Sequence, residues 1–147
     1  MIAARLVRLI QAHSEELAKR LVEKGLSSER MSDMRKVPRE ELQLRAYEIY
    51  HNLSDWLLTK TESDIEKRYT AIGARRARQG VALSHLLYAI MLVKENLFEF
   101  LERQGLVEFP IELYQQLELF QLVDKFFNRA IYYAARGYES ARAARAA

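Results

Sequence analysis

The chain has 147 residues, half of them hydrophobic, which is enough to bury one domain-sized core. Five Gly, two Pro and no Cys exclude a turn-rich all-β fold, disulfides, thiolate metal sites and cysteine nucleophiles. A net charge of +3 is a small excess on a mixed surface and gives no basis for obligate nucleic-acid binding.

The first helix is expected over residues 2–24. Leu6, Ile10, His13, Leu17 and Leu21 recur at steps of three and four, and Gly25 suits the residue after the last turn. Ser27 to Val37 is polar and reads as a connection with at most a short turn. Pro38 opens the second helix, whose apolar face is Leu42, Ala46, Ile49, Leu53, Trp56 and Leu57. Lys60-Thr61-Glu62 ends it. Ser63 and Glu66 then have the spacing of a capping box. The third helix runs to about Arg78, with Ile65, Tyr69 and Ile72 inward. Gly80 breaks the pattern. The fourth helix starts at Ala82 to Ser84 and stops before Gly105. It is apolar on several sides, which is the mark of a central helix. Pro110 opens the fifth helix, where Leu113, Leu117, Phe120, Val123, Phe127, Ile131, Ala134 and Tyr138 keep register to the C-terminus, interrupted only at Gly137. At about 35 residues it spans roughly 50 Å. A compact domain of this size has a radius of gyration near ~15 Å, so this helix projects beyond it.

Chemical motifs are absent. No phosphate-binding Gly-rich loop, no Gly-x-Ser-x-Gly elbow and no His-Glu-x-x-His occurs, and Glu-x-x-His, which a di-iron bundle needs twice, occurs once, at Glu48-Ile49-Tyr50-His51. No catalytic residue, metal ligand set or cofactor is therefore assigned, and the Glu residues read as solvated faces. His51 and His85 point away from the apolar stripes of their helices. His13 points inward and is the single weak candidate for a cofactor ligand. Arg75-Arg76-Ala77-Arg78 reads as a solvated basic face. No run of 18 residues is free of charge, so no membrane span is expected. Met1-Ile2-Ala3-Ala4-Arg5 lacks the apolar core of a signal peptide, and a cytoplasmic location is expected.

Two stretches carry a resemblance. Arg78-Gln79-Gly80-Val81-Ala82-Leu83 leads into Leu86-Leu87 and Lys94-Glu95. Phe126-Phe127-Asn128-Arg129-Ala130-Ile131-Tyr132-Tyr133 is followed by Gly137-Tyr138-Glu139. Together they resemble the N-terminal sensory domain of RsbR-type proteins, the RsbT co-antagonist family, related to domains found ahead of bacterial histidine kinases. The resemblance implies an all-α, globin-like domain without haem, a dimer, and a long C-terminal helix feeding an output module in a stress response. Residues 1–139 would form the sensory domain and 140–147 the end of the signalling helix or a tail.

The expected function is a non-catalytic sensory and dimerisation domain that passes a signal to an output module or partner protein. The competing reading is a globin-like sensor that binds haem or a small ligand; a third is a helical nucleic-acid binder. Tyr132 and Tyr133 point about 100° apart, so the fifth helix has a second face to bury. Phe127, Ile131, Tyr133, Ala134 and Tyr138 are the candidate homodimer contacts, with help from the first helix. Leu53, Trp56, Leu86 and Ile90 are the candidate lining of a ligand cavity.

Overall fold

The computed structural model describes residues 2–104 and 110–146. Among these the fold is all α, without strands. Its helices are α1 (Ile2–Ala12), α2 (Ser14–Leu26), α3 (Arg39–His51), α4 (Glu62–Arg78), α5 (Leu83–Gln104) and α6 (Pro110–Ala146). A 3-10 segment, Glu29–Lys36, joins α2 to α3, and a π turn, Asp55–Thr59, joins α3 to α4. The expected stop at Gly105 and the last residue, Ala147, lie outside the described residues.

Local hydrogen bonds correct three expected boundaries. The first helix is two helices that bend at His13, whose backbone sits at φ −106°, ψ 16°. Ser14 donates its hydroxyl back to the Gln11 carbonyl at 2.8 Å, a bond that competes with the helix ladder. The second helix stops at His51, where the Asn52 side-chain amide and the Asn52 backbone N–H both donate to the Glu48 carbonyl at 3.1 Å. The capping box is Thr61 with Asp64, two residues before the expected pair. The Asp64 carboxylate accepts from the Thr61 N–H at 2.8 Å, and the Thr61 hydroxyl accepts from the Asp64 N–H at 3.3 Å. Thr61 directly follows the extended Lys60, so it meets the first free N–H groups of α4.

α5 is central as expected, packed by α2, the 3-10 segment, α4 and α6. It holds a buried polar knot. The Tyr50 hydroxyl donates to the Val93 carbonyl at 2.9 Å and accepts from Asn96 at 3.2 Å; Asn96 also donates to the Leu17 carbonyl at 3.3 Å. These bonds tie α2, α3 and α5 at one level. The Tyr50 hydroxyl and the Asn96 amide N–H groups of this knot are thus hydrogen-bonded in place of water.

α4 packs most extensively against α6. Their backbones touch. A methyl group on Gly73 would lie 2.0 Å from the Ala134 carbonyl oxygen, and one on Gly137 would lie 2.1 Å from the Thr70 carbonyl oxygen. Gly137 is therefore not an interruption of α6; the helix is continuous through it, and the missing side chain is what lets α4 in. The register of α6 holds from Leu119 onward: Val123, Phe127, Ala134 and Tyr138 are buried, while Leu113 and Leu117 are half-exposed instead of inward. Ile111 and Tyr114 are also bare, at 67% and 72% exposure.

In an unconstrained helix, Gly→Ala stabilises by about 1 kcal/mol. Here the added carbon meets backbone on the facing helix. Gly137→Ala is expected to destabilise by about 1–3 kcal/mol, the usual cost of overpacking. Thermal melts decide the sign; a raised Tm would mean that the two helices do not meet at this glycine.

Candidate functional site

The last turn of α4 carries the densest polar cluster. The basic run was expected to be solvated, but Arg76 is only 3% exposed. The reason is register. Ile65, Tyr69 and Gly73 form the buried face of α4, and Arg76 stands seven residues after Tyr69 on that same face. This was the available signal: the predicted Ile65–Tyr69–Ile72 stripe runs into an arginine.

Burial of this charge is offset by Glu41 from the first turn of α3, itself 15% exposed at the side chain. Arg76 Nη1 donates to Glu41 Oε1 at 2.8 Å and to Gln79 Oε1 at 2.8 Å. Arg75 donates to both Glu41 oxygens, at 2.5 and 3.1 Å. These guanidinium donors hold the Glu41 carboxyl down at about 2, with the Arg75 hydrogen bond the largest cause. Burial pushes the Arg76 guanidinium down, and Glu41 opposes that shift. Glu48 forms a second, more open pair with Arg45 and Arg68. The reading of the Glu residues as solvated faces fails for Glu41, because α4 closes over it.

Arg76 and Arg45 also help to wall a half-open apolar pocket of about 90 Å³ between α2, the 3-10 segment, α3, α4 and α5. Leu21, Met31, Met34, Ile72 and Leu86 supply much of its surface. The Arg76 Nε–H is buried without a hydrogen-bond partner. Of the expected cavity residues, only Leu86 lines this space. Leu53 is fully buried in the core, Ile90 is buried beside it, and Trp56 packs against Tyr69 and Phe126.

The turn after α4 is locked from two sides. Gly80 adopts φ 77°, a conformation glycine reaches without strain. The Asp33 carboxylate accepts from the Ala82 N–H at 2.9 Å, and His85 Nδ1 accepts from the Asp33 N–H at 3.0 Å. That backbone donor, together with Lys36 and His85 nearby, lowers the Asp33 carboxyl. Lys36 donates to the Gly80 carbonyl at 2.9 Å. On the other side, the Tyr138 hydroxyl donates to the Val81 carbonyl at 2.6 Å. His85 is thus engaged with the 3-10 segment, whereas it was expected to point away. His51 is exposed as expected, stacked on Tyr47.

His13 lies outside the cavity. Its Nδ1 stands 2.9 Å from the Leu9 carbonyl and its ring packs on Phe100. Among the described residues no cluster of three His, Asp or Glu side chains could hold a metal ion. The candidate dimer residues are mostly used within the chain. Phe127, Ala134, Tyr133 and Tyr138 are buried, and Tyr133 donates to Glu62 at 3.1 Å. Ile131 is half-buried, and Tyr132, its neighbour, is 55% exposed. The second buried face foreseen on this helix is the one that α4 occupies. No described helix is long and apolar enough to cross a membrane.

The model of one family, described as the RsbT co-antagonist protein rsbRD N-terminal domain, matches residues 2–147. No curated protein and no solved structure gives a significant match.

Glu41→Gln leaves Arg76 in the core without its counter-charge. The expected loss at neutral pH is about 3–5 kcal/mol, the range for removing one partner of a buried pair. The pH dependence has a definite sign. The Glu41 carboxyl is lowered from 4.5 to about 2 on folding, so its contribution is complete above about 4.5 and fades as pH falls towards about 2. Urea melts of both proteins between neutral pH and pH near 3 should therefore converge; a constant gap would show that the Glu41 charge contributes nothing.

Proposed function

The chain belongs to the family of RsbT co-antagonist rsbRD N-terminal domains, a stress-signalling sensory type, and on that footing we propose that it is a non-catalytic, homodimeric sensory domain passing its signal through α6 to an output module or partner protein in the cytoplasm. The family match carries the sensory part of this reading. The architecture of α6 supports the rest. At 37 residues it is roughly 55 Å long. Its second half is clamped to α4 through the glycine contacts, to the 80–82 turn through Tyr138, and to the Ala77 carbonyl through Arg145. A rearrangement at the end of α4 or in that turn therefore has to be accommodated by α6. An effector acts on such a device only by favouring one arrangement over another.

The dimer surface we assign lies on the side of α6 that α4 leaves free. Leu113 and Ile131 are 18 residues apart, five full turns, so they share one line along the helix, with Leu117 about 40° from it. Tyr114 borders the strip. Apolar surface of this extent marks an interface, and two-fold pairing closes it with a single patch. Of the five residues expected from the sequence, Ile131 stays in this surface; the other four serve the monomer.

The non-haem reading is supported by histidine placement around the apolar core pocket of about 90 Å³. His13 is tied to the Leu9 carbonyl and does not border that cavity.

Two measurements test the proposal. Light scattering of the unmodified chain at micromolar concentration should return about twice 17.2 kDa, and Leu117→Glu, at a half-exposed position, should return one chain with the fold retained. A wild-type mass near 17.2 kDa would remove the dimer. In a fusion to an output reporter, one residue inserted after Ser140 rotates everything beyond it by about 100°. The reporter response should change sign or vanish; an unaltered response would remove the helix-borne signal.

A further inference from the structure

We propose that Asp33 and His85 form a proton-operated latch between the 3-10 segment and the start of α5. With His85 neutral, Asp33 holds the ring through its N–H and Ala82 through its carboxylate; with His85 charged, the carboxylate is drawn from Ala82 to the imidazolium. This goes beyond the sensory reading and does not depend on it.

Three observations converge. The first is the proton inventory of the ring. The Asp33 N–H donates to His85 Nδ1 at 3.0 Å. A backbone N–H can only donate, so Nδ1 is the bare nitrogen and the neutral ring carries its proton on Nε2. A second proton can enter only at Nδ1, where it faces the Asp33 N–H. Two donors cannot share a hydrogen bond, so protonation breaks this one.

The second is the acceptor next to it. Asp33 Oδ2 stands 3.9 Å from His85 Nδ1, about 1 Å beyond hydrogen-bond length. The same oxygen accepts from the Ala82 N–H at 2.9 Å. A new Nδ1–H therefore competes with Ala82 for one atom, and a charged donor makes the stronger bond. The Asp33 carboxyl is held below its usual range, with the Ala82 hydrogen bond the largest cause, so it is charged when His85 titrates. The Ala82 carbonyl accepts from the His85 and Leu86 N–H groups at 3.1 Å and so begins the α5 ladder. Its own N–H is a donor that the helix leaves free, and Asp33 is what satisfies it.

The third is the setting. The His85 and Asp33 side chains are 22% and 27% exposed, so water can deliver the proton while the pair is screened less than on an open surface. Lys36 stands 3.7 Å from Asp33 Oδ1 and donates to the Gly80 carbonyl. The same segment carries Glu29, Arg30, whose guanidinium lies over the Tyr88 ring, and Arg35, which is turned to the Leu26 carbonyl of α2. From α6, Arg142, Arg145 and the Tyr138 phenol line the groove beside Asp33 and Gly80. Among these groups the imidazole is the one whose ordinary titration falls between pH 5 and 8. The latch is also well placed. On the inner side of the 3-10 segment, Met31 and Met34 are buried against the apolar pocket. Ala82 directly follows Val81, whose carbonyl holds the Tyr138 hydroxyl of α6. A change at Asp33 therefore acts on the turn to which α6 is fastened.

A titration of the full 147-residue chain from pH 8 to pH 5, followed by NMR, tests the latch. The signals read are the His85 ring nitrogens and the backbone N–H groups of Asp33 and Ala82. The expected result is a neutral ring protonated on Nε2 and one shared midpoint for all three groups. This measurement needs no variant. His85→Asn places an acceptor oxygen near the Nδ1 position and takes up no proton in this range. The Asp33 and Ala82 signals should then stay flat while the circular dichroism remains native, and His13 and His51 still titrate as internal controls. Asp33→Asn removes the charge but keeps an oxygen for Ala82; the proton affinity of His85 should fall about three- to tenfold. A neutral ring protonated on Nδ1, Asp33 or Ala82 signals that do not follow His85, signals that still move in His85→Asn, or an unchanged midpoint in Asp33→Asn would each overturn the latch.

Discussion

The backbone contact between α4 and α6 is the constraint on which the remaining geometry depends. Two glycines, Gly73 and Gly137, each face a carbonyl oxygen of the other helix at a distance that no side chain could share. Close packing of this kind has no slack, so the rotation of α4 about its axis is set to within a residue. That rotation turns Tyr69, Gly73 and Arg76 inward together and leaves Arg75 and Arg78 outside. A small shift of register would put a different side chain of the basic run into the core. The buried arginine is thus a consequence of helix packing, and its acidic partner on α3 follows from electrostatics.

A charge taken out of water needs both a counter-ion and hydrogen bonds. Glu41 supplies the first and part of the second, and Gln79 adds one more acceptor. The set is asymmetric: Arg75 and Arg76 compete for a single carboxylate, and one Arg76 donor goes without. The cluster sits beside the apolar pocket and one turn of chain from the Gly80 bend that meets α6.

Much of the fold was legible in the sequence. The amphipathic spacing located the helical segments, Pro38, Gly80 and Pro110 marked real transitions, and α5 is as central as its apolar surface requires. The misses have local causes. Ser14, Asn52 and Thr61 moved boundaries through side-chain bonds to backbone, which compete with helix propensity over a single residue. Gly137 read as a weak point because spacing shows where a side chain is missing and not what occupies the gap. His85 looked outward on its own helix, yet a separate segment of chain reached over to it.

The order of the helices, their apolar faces, the absence of cysteine, and the family were determined by the sequence alone, because each depends on residue type and on separations of a few positions. The site was decided by tertiary structure. Arg76 and Glu41 are 35 residues apart, and Tyr138 meets Val81 across 57. Whether an arginine is solvated or buried, and whether an aromatic face meets its own chain or another, depends on which helix lies across it. Periodicity along one helix carries no information about that neighbour; the crossing of α4 and α6 supplies it.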